Sequence, residues 1–252
     1  MNGGIVVLKA HNPFCVLVAS FVYMVGSVVS GKIRPTGLAQ YAFDVNDVLG
    51  TAFVVTSING TCITCNHVIS ESLVESGDEL ALFALNATFG FSVHPIIKST
   101  ILRHPIFDVL KFRVENPIAL KQWSFVMSEI ELAEDIVVLG FARDHMVSHP
   151  GNSVVVPRAL KGCVVSAYEH ECEIDKPLIT TMSGSPVLAH GKVIGIASGN
   201  RQYAIDQYII ESVTKEVDGV AVSKEAYEYK ETSRFGVFIK ASQWLPWAQS
   251  SD

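Results

Sequence analysis

The chain has 252 residues, 49% of them hydrophobic and only 17% charged. That supplies a large core and is the wrong composition for a disordered protein. Its formal charge is −6 at neutral pH, and no Lys/Arg cluster concentrates positive charge, which argues against a nucleic-acid partner.

In chain order, residues 13–30 carry no charge and reach the length of a membrane-helix candidate. Their β-branched and aromatic content, interrupted by Gly26 and several serines, favours a core strand over a signal or anchor within an apolar segment 1–30. Membrane contact is therefore expected only through residues 13–30, and a cytoplasmic location is favoured over a secreted or membrane-anchored one. Residues 51–58 and 61–69 read as strands around Asn59-Gly60, a dipeptide suited to a type I′ hairpin. Further strands are expected over 80–85, 94–102 and 109–114, with a connector over 117–121. A second series follows over 135–141, 153–156, 159–167, 185–189 and 192–198, and His190-Gly191 makes a tight turn. Residues 202–234 are charged and partly helical in pattern, and read as an insertion loop. Trp244, Leu245 and Trp247 among polar neighbours suggest a short docking helix over 241–249. Short strands with tight turns predict an all-β fold, with one unit over 31–120 and a second over 121–252.

Five cysteines, Cys15, Cys62, Cys65, Cys163 and Cys172, leave at least one unpaired in a monomer. Cys62 and Cys65 form a CxxC, but a structural zinc site needs a second such pair and none follows. Strand alternation also sends residues 62 and 65 to opposite faces. Buried free thiols are the expectation, with no metal or other cofactor.

Amide cleavage requires a nucleophile, a base to take its proton, and donors for the oxyanion. Three local sequences offer such parts. Thr64-Cys65-Asn66-His67-Val68-Ile69 places a histidine at the end of an apolar strand. His104-Pro105-Ile106-Phe107-Asp108-Val109-Leu110 places an aspartate directly before a strand. Thr181-Met182-Ser183-Gly184-Ser185-Pro186-Val187 places a serine in a turn of small residues that leads into a strand. Each alone is ordinary, but together they stand in the order His, Asp, Ser of chymotrypsin-type triads.

These segments resemble the trypsin-like peptidases, especially the disulfide-poor branch that includes the HtrA-type enzymes. Gly50-Thr51-Ala52-Phe53-Val54-Val55 is similar to the GTGF-V strand of that family. Thr64 to Ile69 is similar to its L-T-x-x-H-V-I, Asp108-Val109-Leu110-Lys111 to its D-[LV]-A-[LV], and Ser183-Gly184-Ser185-Pro186-Val187 to its S-G-[GS]-P-V. Gly236 to Lys240, with Trp244 and Trp247, is similar to its last strand and helix. The resemblance covers roughly residues 45–249. It implies two six-stranded antiparallel β-barrels with a short C-terminal helix and an active site between them. Ser183 would be the nucleophile, His67 its base and Asp108 the group that orients His67. The backbone N–H groups of Thr181 and Ser183 would form the oxyanion hole.

Two positions depart from the family pattern. Thr181 stands where glycine is usual, and a β-branched residue restricts that peptide, leaving a collapsed oxyanion hole open. Met182 replaces the aspartate that receives a freed N-terminus in digestive trypsins. By the same resemblance, Pro177, Ser198, Gly199, Asn200 and Gly236 would line the substrate pocket. No charge stands among them, so a small or medium uncharged P1 side chain is expected in a polypeptide substrate. The alternatives are a catalytically silent peptidase fold used for binding and, more remotely, a cysteine-centred enzyme. Oligomeric state has no signature.

Overall fold

The computed structural model describes residues 22–28, 34–37, 40–42, 45–56, 60–85, 91–115, 120–149, 152–203, 207–217, 220–229 and 233–250. Cys15, Asn59 and most of the apolar segment over 13–30 lie outside them. Among the described residues nine strands precede residue 115: β1 (Tyr23–Val28), β2 (Arg34–Gly37), β3 (Gln40–Ala42), β4 (Val45–Thr56), β5 (Thr61–Thr64), β6 (Glu79–Leu85), β7 (Phe91–Pro95), β8 (Leu102–Arg103) and β9 (Leu110–Arg113). Seven form one sheet in the order β7-β6-β1-β4-β5-β9-β8, and β2 pairs with β3 alone. The sheet curls so that the end of β7 meets the end of β9: Ile96 bridges Val114, and Glu115 N donates to Pro95 O at 2.9 Å. Among the described residues the main sheet of this unit thus has seven strands. β1 lies between β4 and β6 with Val22 and Val25 fully buried.

Residues 52–55 are all fully buried. One face of β4 fills its own barrel, and the strand also packs against elements of the second half. This explains a continuous apolar run where a half-exposed strand would alternate. The strand expected over 94–102 is interrupted. β7 ends at Pro95, which has no N–H to continue a ladder, and a 3-10 turn over Lys98–Thr100 follows. Lys98 Nζ there donates to Val74 O (3.0 Å) and Ser76 O (2.8 Å), at the end of the short helix α1 (Glu71–Glu75).

The second half is a closed six-stranded barrel of β10 (Asp135–His149), β11 (Asn152–Ala167), β12 (Glu171–Ile174), β13 (Pro186–Ala189), β14 (Lys192–Tyr203) and β17 (Ser233–Lys240), in the order β10-β11-β12-β17-β14-β13. β11 joins the two strands expected over 153–156 and 159–167. Pro157 is accommodated because it pairs with Phe141 where the β10–β11 register shifts, a bulge that removes the need for its N–H. Among the described residues of 202–234, strands stand where a partly helical loop was expected. β14 runs on to Tyr203, and β15 (Gln207–Val217) pairs with β16 (Val220–Tyr229) as a separate two-stranded sheet. Their valines, isoleucines and tyrosines favour strand despite the interspersed charges.

Helix α2 (Ala241–Gln249) matches the expected span and returns to the first unit. Trp244 is fully buried and meets Phe53 edge-on, with ring centroids 6.1 Å apart. The connector after residue 120 touches both halves. Gln122 bridges Val54 and Phe125 bridges Val193, and Lys121 N donates to the Tyr23 hydroxyl at 2.8 Å. One apolar cluster therefore spans both halves, and a second lies within the second barrel. Among the described residues no helix is long and apolar enough to cross a membrane.

Candidate active site

β5 ends at Thr64, and His67 sits in the 3-10 turn Asn66–Val68 that follows. Arg103 fixes this turn from below: its guanidinium donates to the Asn66 carbonyl (3.2 Å) and side-chain oxygen, and to the Ile69 carbonyl (2.9 Å). Asp108 lies in the bend before β9. Its carboxylate accepts from the His67 backbone N–H at 3.0 Å and faces His67 Nδ1 at 2.6 Å. Two bonds from one carboxylate leave Nε2 on the free side of the ring. The pair is accessible, with side chains 51% and 36% exposed. His104 shapes the same bend. Its Nδ1 accepts from the N–H groups of Ile106 (3.1 Å) and Phe107 (3.0 Å). Burial pushes its pKa below the usual histidine value, which keeps that nitrogen an acceptor.

Two consecutive turns place Ser183. Met182 N donates to Ile179 O (3.0 Å) and Ser185 N to Met182 O (3.0 Å). The third residue of each turn, Thr181 (φ 71°) and Gly184 (φ 85°), has positive φ, the mark of a type II turn. Glycine is required at 184 for space as well: a Cβ there would fall 2.0 Å from Thr51 O and 2.3 Å from Thr64 Oγ1. Thr181 thus adopts the backbone that glycine ordinarily supplies. The flipped peptide of a type II turn, rather than that of a type I turn, carries its N–H.

The serine turn is stitched to the histidine segment. Thr51 N donates to Ser183 O (2.9 Å), Thr64 Oγ1 to Thr51 O (2.7 Å), and Cys65 Sγ to Ala197 O (3.1 Å). Ser183 Oγ donates to the Ser198 carbonyl at 3.2 Å, so the resting hydroxyl is directed at β14 rather than at the imidazole. Among the described residues nothing accepts from the Ser183 N–H.

Of the expected pocket residues, Ser198 accepts from Ser183 Oγ through its carbonyl. Asn200 pairs with Gly236 across β14 and β17. Its side-chain amide spans to the neighbouring segment, accepting from Leu178 N (2.6 Å) and donating to Leu178 O (2.9 Å). Gly236 N donates to Lys176 O (3.0 Å). Gly199 faces open space, and Pro177 is exposed. Asp175 is engaged elsewhere, accepting from Cys163 N at 2.9 Å.

Cys62, Cys65, Cys163 and Cys172 are free thiols. Donor atoms of Cys65, His67 and Asp108 lie within 4.8 Å of one another. Burial, reinforced by the Asp108 charge, holds the Cys65 thiol far above its usual pKa. Sequence reasoning missed Arg103 and the side chain of Thr51, whose partners lie distant along the chain.

No family model matches the chain, and no curated protein matches it. Among solved structures it is similar to neuropsin, a serine protease expressed in the limbic system of mouse brain. The TM-score is 0.54 with 10% identity over 88% of this chain and 91% of that one. It is also similar to the HtrA-type protease AlgW with a decapeptide, with a TM-score of 0.57 and 15% identity over 94% of this chain. The match spans 66% of AlgW. With its closed six-stranded barrel, second sheet and short C-terminal helix, the chain has the chymotrypsin fold of these serine proteases.

Proposed function

We propose that the chain is a serine endopeptidase in which Ser183, His67 and Asp108 form the catalytic triad. The observation that carries this reading is the His67–Asp108 pair, held at both the ring and the backbone N–H beside a serine presented on two type II turns. In this reading Ser183 Oγ leaves the Ser198 carbonyl and donates to His67 Nε2. Ser183 Oγ then attacks the substrate carbonyl carbon as its proton passes to Nε2. The N–H groups of Ser183 and Thr181 receive the resulting oxyanion. When the tetrahedral adduct collapses, the C–N bond breaks and the imidazolium proton goes to the leaving amine. Water, losing a proton to His67, then releases the acyl group and restores Ser183. Asp108 fixes the tautomer and stabilises the imidazolium throughout.

Substrate selection follows from the strut that Asn200 throws across to Leu178. The expected pocket residues Pro177, Ser198, Gly199, Asn200 and Gly236 include no charged side chain, which suits a small or medium uncharged P1 residue. Profiling a peptide library with the purified chain is expected to give cleavage after such residues and none by Ser183→Ala. Asn200→Gly is expected to extend cleavage to larger P1 side chains. A dominant preference for arginine would contradict this account of specificity, and equal cleavage by Ser183→Ala would contradict the mechanism.

A further inference from the structure

A threonine two residues before the nucleophile can serve only if something holds it in a glycine-like conformation. The structure supplies a closed ring of hydrogen bonds for this. Thr181 Oγ1 donates to Phe141 O at 2.8 Å, Phe141 N donates to Thr51 Oγ1 at 3.0 Å, and Thr51 Oγ1 donates to Thr181 O at 3.3 Å. Each group is suited to its place. Phe141 pairs with Pro157, which has no N–H to offer the Phe141 carbonyl, so that carbonyl is available to Thr181. Gly140 lets β10 come close, since a Cβ there would lie 1.9 Å from Ser185 Oγ and 2.9 Å from Thr51 Oγ1. Thr51 is fully buried, and its own N–H grips Ser183 O. One residue thus holds both the carbonyl of the nucleophile and that of the turn before it.

We infer that Thr51 is a positioning residue: with Phe141 it clasps Thr181 at positive φ and so keeps the Ile179–Met182 turn in its type II form. The inference rests on the serine-peptidase reading. Types I and II differ by reversal of the central peptide, here the one bearing the Thr181 N–H. Without the clasp, relaxation of Thr181 to negative φ turns that N–H away from the oxyanion. A plain packing role for Thr51 predicts something different, because the clasp is needed only while residue 181 has a side chain that resists positive φ.

The test is a cycle on the full chain, reading the second-order rate of fluorophosphonate labelling at Ser183 alongside the melting temperature. Thr51→Val, which keeps the shape and removes the hydroxyl, is expected to slow labelling by about 10- to 100-fold, the range of a lost or misdirected oxyanion donor. Thr51→Ser, which keeps the hydroxyl, is expected to remain within about threefold of the parent. In a Thr181→Gly background, Thr51→Val is expected to slow labelling by less than about threefold, because glycine holds the turn unaided. Should Thr51→Val not fold, Thr181→Val against Thr181→Gly makes the same comparison at the less buried end of the ring, with the valine slow and the glycine fast. Labelling of Thr51→Val at the parental rate would overturn the inference, as would an equal loss in both backgrounds. A parent chain that is not labelled at all would overturn the peptidase reading beneath it, which is a separate result.

Discussion

Thr181 and Ser185 stand two residues either side of Ser183 and carry opposite lessons. A β-branched residue at positive φ costs on the order of 1–3 kcal/mol, and Thr181 offsets this with a bond from its own hydroxyl to Phe141 O. The Ser185 hydroxyl is fully buried and, among the described residues, has no hydrogen-bond partner. An unsatisfied buried hydroxyl costs about 1–3 kcal/mol. Ser185→Ala is therefore expected to stabilise the protein by about 1 kcal/mol, raising the urea midpoint without changing the slope of the transition. A lowered midpoint would mean that the hydroxyl has a partner in solution. Neither feature is legible in the sequence. Ser-Gly-Ser-Pro announces a turn, but the partners of Thr181 come from β4 and β10, far away along the chain, and nothing local shows that the Ser185 hydroxyl has none among the described residues.

Helix α2 is the element whose docking most depends on one side chain. Lys111 lies in β9, is buried, and donates from Nζ to the carbonyls of Trp247 and Ser250, both at 3.3 Å. Its ammonium also sits 5.0 Å from the centre of the Trp247 ring. A cation at a helix C-terminus satisfies carbonyls that have no intrahelical partner and complements the dipole. Lys111→Met keeps the stem and removes these bonds. It is expected to destabilise the protein by about 1–3 kcal/mol and to lower the melting temperature by several degrees, with the loss relieved little by salt because the site is buried. An unchanged melting temperature would show that the helix is held by its aromatic face alone. The helix itself was legible from Trp244, Leu245 and Trp247, as were most strands, because apolar runs bounded by turn residues report strand directly. The elements that misled did so for local reasons: Pro95 cuts short a run that reads as one strand, a bulge lets Pro157 stay inside another, and β12 is only four residues long.

At the scale of the whole molecule, the site lies where the halves are sewn together. His67 and Asp108 come from the first unit and Ser183 from the second, while Thr51 and Cys65 bond across the seam. The order of the three segments was legible because each carries its own turn and strand signature. The seam was not, since its hydrogen bonds join residues 90 or more positions apart. The chymotrypsin fold is common to proteins with only 10–15% identity to this chain, and a fold alone does not establish chemistry. The decisive property is whether Ser183 is activated by His67. Reaction of the full chain with a fluorophosphonate probe, followed by mass spectrometry of the labelled peptide, measures this most directly. The account predicts stoichiometric modification of Ser183, abolished in Ser183→Ala and reduced by several orders of magnitude in His67→Ala. No modification of the parent chain, or equal modification of the His67→Ala variant, would contradict it.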